Sequence, residues 1–410
     1  MSTRRTVLDV EEYRDELLEH LLAGSGALPG TEEVALVDGL GRVLARDVSS
    51  SGDVPAFDNS AMDGYAVRQA DVQTLPATLR VVADVPAGSR RDPVLAGGDC
   101  VRIMTGAPMP SDADTVVPVE LTDGGAETVT ITEAPGAGRH VRAAGGDLAA
   151  GDVVVPAGTT LTPGHLSAIA AAGAPSVLVR RRPVVAVVTT GDELVAPGGT
   201  LRRGQIYESN GTHLVASLID MGVSTRHVAA VADDVTTFGA ALDELADCDL
   251  VLLTGGVSVG AFDVSRIALE ESGEGVFRHV RMQPGKPQGW GRWRGRTPVL
   301  AFPGNPMSTA ISFEVFGRPV LDRLLGRQLR PGPDAAVAAT GWRSPSGRRQ
   351  YLPVRLNSDE SGRLVATPAH RRGSASHMVT SLAGADALAV VAADVDEVAP
   401  GDVVTIRRLG

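Results

Sequence analysis

Lysine is almost missing from this chain of 410 residues: of 38 basic positions, only Lys286 is lysine and the rest are arginine. Cysteine is nearly as scarce. Cys100 and Cys248 form neither a metal-ligand spacing nor a disulfide framework, and both stand in apolar surroundings, so they read as small buried hydrophobes of a reduced, cytoplasmic protein. A long basic tract is also lacking and the net charge is −11, which argues against nucleic acid as a partner. Anions must then be held by local devices: backbone N–H groups, a few cations, or a bound metal. Arg4-Arg5 is followed by a charged helical pattern rather than an apolar core, so no export signal is read there. The stretch 153–179 has no formal charge, but Pro156, Pro163, Gly164, Gly173 and Pro175 interrupt it, and no membrane span is expected. The P-loop, G-x-G-x-x-G and H-x-x-x-H patterns are absent. Their absence removes the standard nucleotide and zinc readings.

What is present is a long, glycine-rich chain. Its length implies two to four domains, and 48 glycines with 26 prolines imply short, sharply turned loops. Tyr13, Leu17, Leu18, Leu21 and Leu22 fall on one face of an opening helix. Residues 47–140 have strand texture, with strands expected at 79–85, 100–104 and 128–131. A small-residue helix is expected around 166–172. From residue 182 strands and helices alternate: strands at 183–188, 227–231, 250–253 and 298–302, helices at 212–221, 236–246 and 264–271, and a last helix ending near Leu325. This alternation predicts a doubly wound α/β sheet with ligands at the carboxyl ends of its strands. Residues 334–410 return to strand texture, with 351–356 and 364–367 joined by a polar turn, as in a small barrel or sandwich.

Several strand ends could carry chemistry. The sharpest local pattern is LTGGVSVG at 253–260, followed by Asp263. Three glycines between a strand and a helix let backbone N–H groups hold an oxyanion, and they also suit a plain tight turn. Thr190, Asp192 and Glu193 follow the first strand of the sheet, and Asp233-Asp234 follow the second. Each acid alone suits a helix N-cap. As a set beside an anion-binding turn, they call for a divalent cation, and Mg²⁺ on one or two carboxylates plus substrate oxygens is the economical choice. Lys286 lies in QPGKP at 283–287, where a compact point charge differs from the planar fork of arginine. Pro303-Gly304-Asn305-Pro306 turns a buried strand into a helix at the same edge. Far away, FDNSAMDGYA at 57–66 and RIMTGA at 102–107 have no generic chemical reading.

Together these strings resemble the MoeA family, also seen as the E domain of gephyrin. The matching segments are FDNSAMDGYAV (57–67), RIMTGAPMP (102–110), TTGDEL (189–194), GQIYESN (204–210), TGGVSVG with Asp263, PGKP (284–287) and PGNP (303–306), in family order across most of the chain. The resemblance implies an elongated homodimer of four-part subunits. Residues 1–46 and 141–181 would form a discontinuous dimerisation part, 47–140 an inserted β domain, 182–328 the α/β molybdopterin-binding domain, and 329–410 a C-terminal β-barrel. The implied reaction takes molybdate and adenylylated molybdopterin, uses Mg²⁺, leaves molybdenum on the dithiolene and releases AMP. The site would lie between the α/β domain of one subunit and the β domain of the other. Carried over by motif, the catalytic positions are Asp63, Thr105, Glu193, Asp233, Asp234, Asp263 and Lys286, with Glu193 and Asp263 as metal ligands. Substrate contacts would come from Arg142, Asp147, Thr190, Gly255, Gly256, Ser258, Gly260, Gln283, Pro303, Gly304, Asn305 and Ser376. One departure stands out: the family often has a second lysine where this chain has Gln283, which bears on oxyanion affinity and on the choice between molybdate and tungstate. The adenylyltransferase that supplies the substrate is an expected partner.

Two other readings share these motifs. The related adenylyltransferase has the α/β domain and the TGGVSVG loop, but needs neither residues 1–140 nor 334–410. A non-catalytic scaffold could keep the fold, although the acidic set and Lys286 speak for chemistry.

Overall fold

The computed structural model describes residues 7–21, 29–232, 234–255, 264–272, 274–328, 334–370 and 376–409. It divides into two compact units, residues 33–179 in one, and residues up to 32 together with 180–410 in the other.

The larger unit is organised by a seven-stranded sheet. Ser224–Val231, Val184–Thr190, Leu250–Thr254 and Thr297–Phe302 run side by side and parallel. Alternation along these strands feeds two cores. Val185, Val187, Leu250, Leu252, Leu300 and Phe302 pack with Leu214 and Leu218 of the Asn210–Asp220 helix and with Met307 and Ile311 of the Pro306–Ser312 helix. Ala186, Val188, Val251, Leu253, Val299 and Ala301 meet Phe238 and Leu242 of Val235–Asp243 and Val264, Ala268 and Leu269 of Val264–Glu271. Apolar side chains on both faces are what a sheet covered on both sides requires, so the doubly wound arrangement holds. Gly222, at φ 76°, closes the first of these helices in the left-handed conformation expected of it.

Beyond Thr297–Phe302 the sheet departs from the sequence expectation. Pro287–Trp293 joins antiparallel, Val276–Val280 follows antiparallel to it, and Val7–Leu8 ends the order. The sequence shows no strand pattern over 287–293, because Gly289 and Gly291 break the apolar run, and 276–280 is likewise not expected from it. Both glycines are needed: a Cβ on Gly289 would lie 2.6 Å from the Phe277 ring, and one on Gly291 would lie 2.7 Å from the Glu274 carbonyl oxygen. The opening helix is Val10–Glu16, continued by a wider turn at Leu17–Leu21, with Tyr13, Leu17 and Leu21 fully buried; Leu22 lies outside the described residues.

The C-terminal strands close on themselves. Arg349–Ser358 pairs with Leu364–Pro368, then Asp334–Ala338, Val403–Arg408 and Ala387–Val391, which returns to Arg349–Ser358. This five-stranded barrel leaves no free edge and is filled by Leu352, Val354, Ala366, Ala389, Val404 and Ile406.

The 33–179 unit contains a five-stranded sheet in the order Thr115–Pro118, Gly64–Val67, Asp99–Ile103, Ala77–Val85, Thr128–Ile131, with an apolar cluster on each face. A smaller cluster around Leu44, Leu161, Ile169 and Val179 packs the Pro163–Ala171 helix. Cys100 and Cys248 are buried and free, and burial pushes the Cys100 thiol up to about 12. Among the described residues no helix is long and apolar enough to cross a membrane.

Candidate active site

Parallel strands end together, so their carboxyl ends form one rim. Along it stand Glu193 after Val184–Thr190, Gly255 after Leu250–Thr254, and Pro303-Gly304-Asn305 after Thr297–Phe302. The loops are drawn close together, and at Gly255 only glycine fits. Gly255 has φ 97°, and a Cβ there would stand 2.3 Å from the Thr190 carbonyl oxygen. A Cβ on Gly304 would lie 3.3 Å from the Gly255 Cα.

A directed chain of hydrogen bonds fastens these ends. Asn210 Nδ2 donates to the Gly304 carbonyl at 2.7 Å and to Thr254 Oγ1 at 3.0 Å. Thr309 Oγ1 donates to the Pro303 carbonyl at 2.6 Å. Its 3.1 Å contact with Thr254 must therefore be a donation from Thr254, since each hydroxyl has one proton. Thr254 and Thr309 are buried, and such a relay in a low-dielectric setting is stiff. Ser265 Oγ donates to the Gly255 carbonyl at 3.3 Å. The Ser376 carbonyl accepts from Met307 N at 3.0 Å, which sets Ser376 of the barrel region against the Pro303–Pro306 turn.

Lys286 reaches the same edge from the antiparallel strand. Gly289 pairs with Ala301 near the end of Thr297–Phe302, and the Lys286 carbonyl accepts from Val280 N at 2.8 Å, so Lys286 stands just before its strand on this edge. The Gln283-Pro284 peptide is cis and Gly285 has φ 101°, a conformation that favours glycine. The fully buried Gln288 holds the turn: its Nε2 donates to the Gly285 carbonyl at 2.7 Å and to Ser312 Oγ at 2.6 Å. Lys286 itself is exposed at the tip. Gln283 Oε1 accepts from Arg348 Nη1 at 2.9 Å.

In the 33–179 unit, Asp63 and Thr105 meet although 42 residues separate them. Asp63 Oδ1 accepts from Thr105 N at 2.7 Å and from Thr105 Oγ1 at 2.8 Å. These bonds, the backbone one foremost, hold the Asp63 carboxyl below its ordinary range. Next to Asp63, Gly64 lets its strand lie close to Thr115–Pro118, since a Cβ there would stand 2.0 Å from the Val117 carbonyl oxygen. Val141–Arg142 pairs antiparallel with Asn59–Ser60, and Ala144 N donates to Asp58 Oδ1 at 2.7 Å, so the Arg142–Asp147 segment lies beside the 57–63 motif.

Not every predicted acid is left open for chemistry. Asp234 Oδ2 caps the Val235–Asp243 helix, accepting from Thr237 N and Thr237 Oγ1, each at 2.8 Å, and these bonds lower its pKa. Asp233, Gly256, Ser258, Gly260 and Asp263 lie outside the described residues. Among the described residues no group of three His, Cys, Asp or Glu side chains could hold a metal.

Known proteins resemble this chain along most of its length. A curated protein of Mycobacterium tuberculosis named molybdopterin molybdenumtransferase 2 is 42% identical, over 90% of this chain and 92% of its own length. The chain belongs to the MoeA family. Models of the MoeA N-terminal region, the probable molybdopterin binding domain and the MoeA C-terminal region match residues 8–173, 186–323 and 335–409. The molybdopterin molybdenumtransferase of Haemophilus influenzae is 32% identical over 98% of both chains. Among solved structures, a MoeA protein from Pyrococcus horikoshii superposes with a TM-score of 0.81 at 32% identity, covering 98% of this chain and 99% of that one.

For this MoeA-family chain, sequence reasoning missed the supports behind the site: Gln288, Thr309, Ser312 and Arg348. A signal existed for the first three. Gln288 is polar on an inward strand position, and Ser308, Thr309 and Ser312 crowd a helix that is buried all round.

Proposed function

We propose that this chain is a molybdenum insertase, which takes molybdate and adenylylated molybdopterin, places molybdenum on the pterin dithiolene and releases AMP. The observation that carries the reading is the chain's only lysine, displayed on a braced glycine turn just before the strand that pairs with Thr297–Phe302. An ammonium fixed beside closely drawn strand ends is suited to a dianion whose charge redistributes during transfer.

The roles follow from the side chains. Lys286 neutralises oxyanion charge, while the Gly255 and Gly304 turns let backbone approach the pterin and its phosphate. Asp63, ionised and oriented by Thr105, directs a water or a substrate hydroxyl. Glu193 would hold magnesium: its carboxylate is exposed, with no cation paired to it among the described residues. That suits a hydrated Mg²⁺ held by one or two carboxylates, with Asp263 as the second. When bound, the ion would screen phosphate charge. The working form we propose is a cytoplasmic homodimer, with residues 1–46 and 141–181 as the dimerisation part, supplied by a partner adenylyltransferase.

The test is AMP release from adenylylated molybdopterin by the wild type with Mg²⁺. Release that rises with molybdate is expected, with no adenylylation of molybdopterin by ATP. Adenylylation without molybdate-dependent release would replace this reading with the adenylyltransferase one.

A further inference from the structure

Three arginines surround the strand that leads into the Lys286 turn, and two of them are already neutralised. Arg281 donates to both carboxylate oxygens of Asp9, at 2.6 and 2.9 Å. Arg349 pairs with Glu11. Arg348 differs: its Nη1 donates to the neutral Gln283 Oε1, and among the described residues no carboxylate is paired with it.

Backbone fixes the arrangement. Met282–Gln283 runs parallel to Arg349 and Gln350 at the start of a barrel strand, and Arg349 N donates to the Arg281 carbonyl at 2.9 Å. Arg348 is thus delivered by the barrel to the residue that opens the cis-proline turn, and that turn ends on Lys286. The partner's chemistry matters. A carboxylate at position 283 would cancel the guanidinium charge; the amide orients it and leaves the charge uncompensated. Most of the five guanidinium donors remain for an anion, in a fork that matches two oxygens at once.

We propose that Arg348 is the second cation of the Lys286 site, and that the two bind a tetrahedral dianion, either molybdate or a phosphate group. The identification of molybdate rests on the insertase reading; the two-cation site itself does not.

The experiment titrates the full-length protein with molybdate alone and with inorganic phosphate alone by calorimetry. It compares the wild type, Arg348→Gln, Arg348→Lys, and Arg348→Gln combined with Gln283→Lys. Loss of a charge-assisted bond should weaken binding by about 10- to 100-fold in Arg348→Gln. Arg348→Lys should fall between, and Gln283→Lys should recover most of the loss by returning a positive charge to the turn. The anion whose binding falls is the one this site takes. Unchanged binding of both anions in Arg348→Gln overturns the proposal, as does a loss that neither lysine variant relieves in proteins of wild-type melting temperature. Molybdate-dependent AMP release, measured alongside, separates the two claims. Wild type that binds molybdate but releases no AMP refutes the insertase reading and leaves the two-cation site standing. Wild type that releases AMP, with an unchanged molybdate dependence and unchanged binding of both anions in Arg348→Gln, refutes the site alone.

Discussion

The rim of the α/β sheet and the Asp63 turn of the 33–179 unit display charged groups by opposite means. At the rim almost nothing is held by the exposed groups themselves. Lys286 rests on a cis-proline turn closed by the buried Gln288, and the neighbouring loops rest on the Asn210–Thr254–Thr309 relay. At the Asp63 turn the exposed carboxylate makes its own two bonds to a single residue, Thr105. The first construction is fixed by backbone and core, so it should fail as a whole. The second is local and should fail by degrees.

Gly255→Ala should show the larger effect. Both the φ of 97° and the 2.3 Å approach to the Thr190 carbonyl oppose a side chain, so a cost of about 1–3 kcal/mol in stability is expected, by chemical denaturation. Displacement of the loop should lower molybdate-dependent AMP release by about 100-fold, because small misplacements are expensive in a preorganised site. An alanine variant with wild-type stability and rate would show that the rim is not built on this contact.

Thr105→Val should show the smaller effect, because the backbone N–H that contributes most to lowering the Asp63 pKa is retained. A depressed carboxylate pKa favours the ionised form: that contribution is complete above the ordinary value of about 4 and fades as pH falls through the lowered one. Removing the hydroxyl should therefore move the acid limb of the pH–rate profile upward. At neutral pH Asp63 stays ionised, and the rate should fall by less than about 10-fold through poorer orientation alone. A collapse at neutral pH as deep as that of Gly255→Ala would erase the contrast between the two regions.

The same contrast explains what could be read from the sequence. The parallel strands were legible because burial on both faces writes a continuous apolar run, as in Val184–Thr190 and Leu250–Thr254. The strand Pro287–Trp293 was not, because glycines forced by Phe277 and the Glu274 carbonyl hide its pattern, and those contacts are tertiary. The strand-end glycines and Lys286 were visible through local composition. The Asp63–Thr105 pair was not derivable locally; only the family resemblance brought the two residues together, since strand pairing across 42 positions leaves no short-range trace. Asp234 shows the opposite case: a carboxylate followed three residues later by Thr237 fits a helix cap, and the structure uses it as one. Arg348 depends on the barrel strand docking beside Gln283, which no local pattern foretells.

On the proposed insertase reading, Lys286 and Asp63 act in one reaction. Molybdate-dependent AMP release should be measured for Asp63→Asn and for Lys286→Ala beside the wild type, with melting temperatures to confirm folding. Both variants are expected to fold, and each to lose about 100-fold or more in rate, the scale of removing one preorganised electrostatic group. A folded Asp63→Asn that releases AMP at the wild-type rate, while Lys286→Ala is inactive, would contradict it and confine the chemistry to the rim.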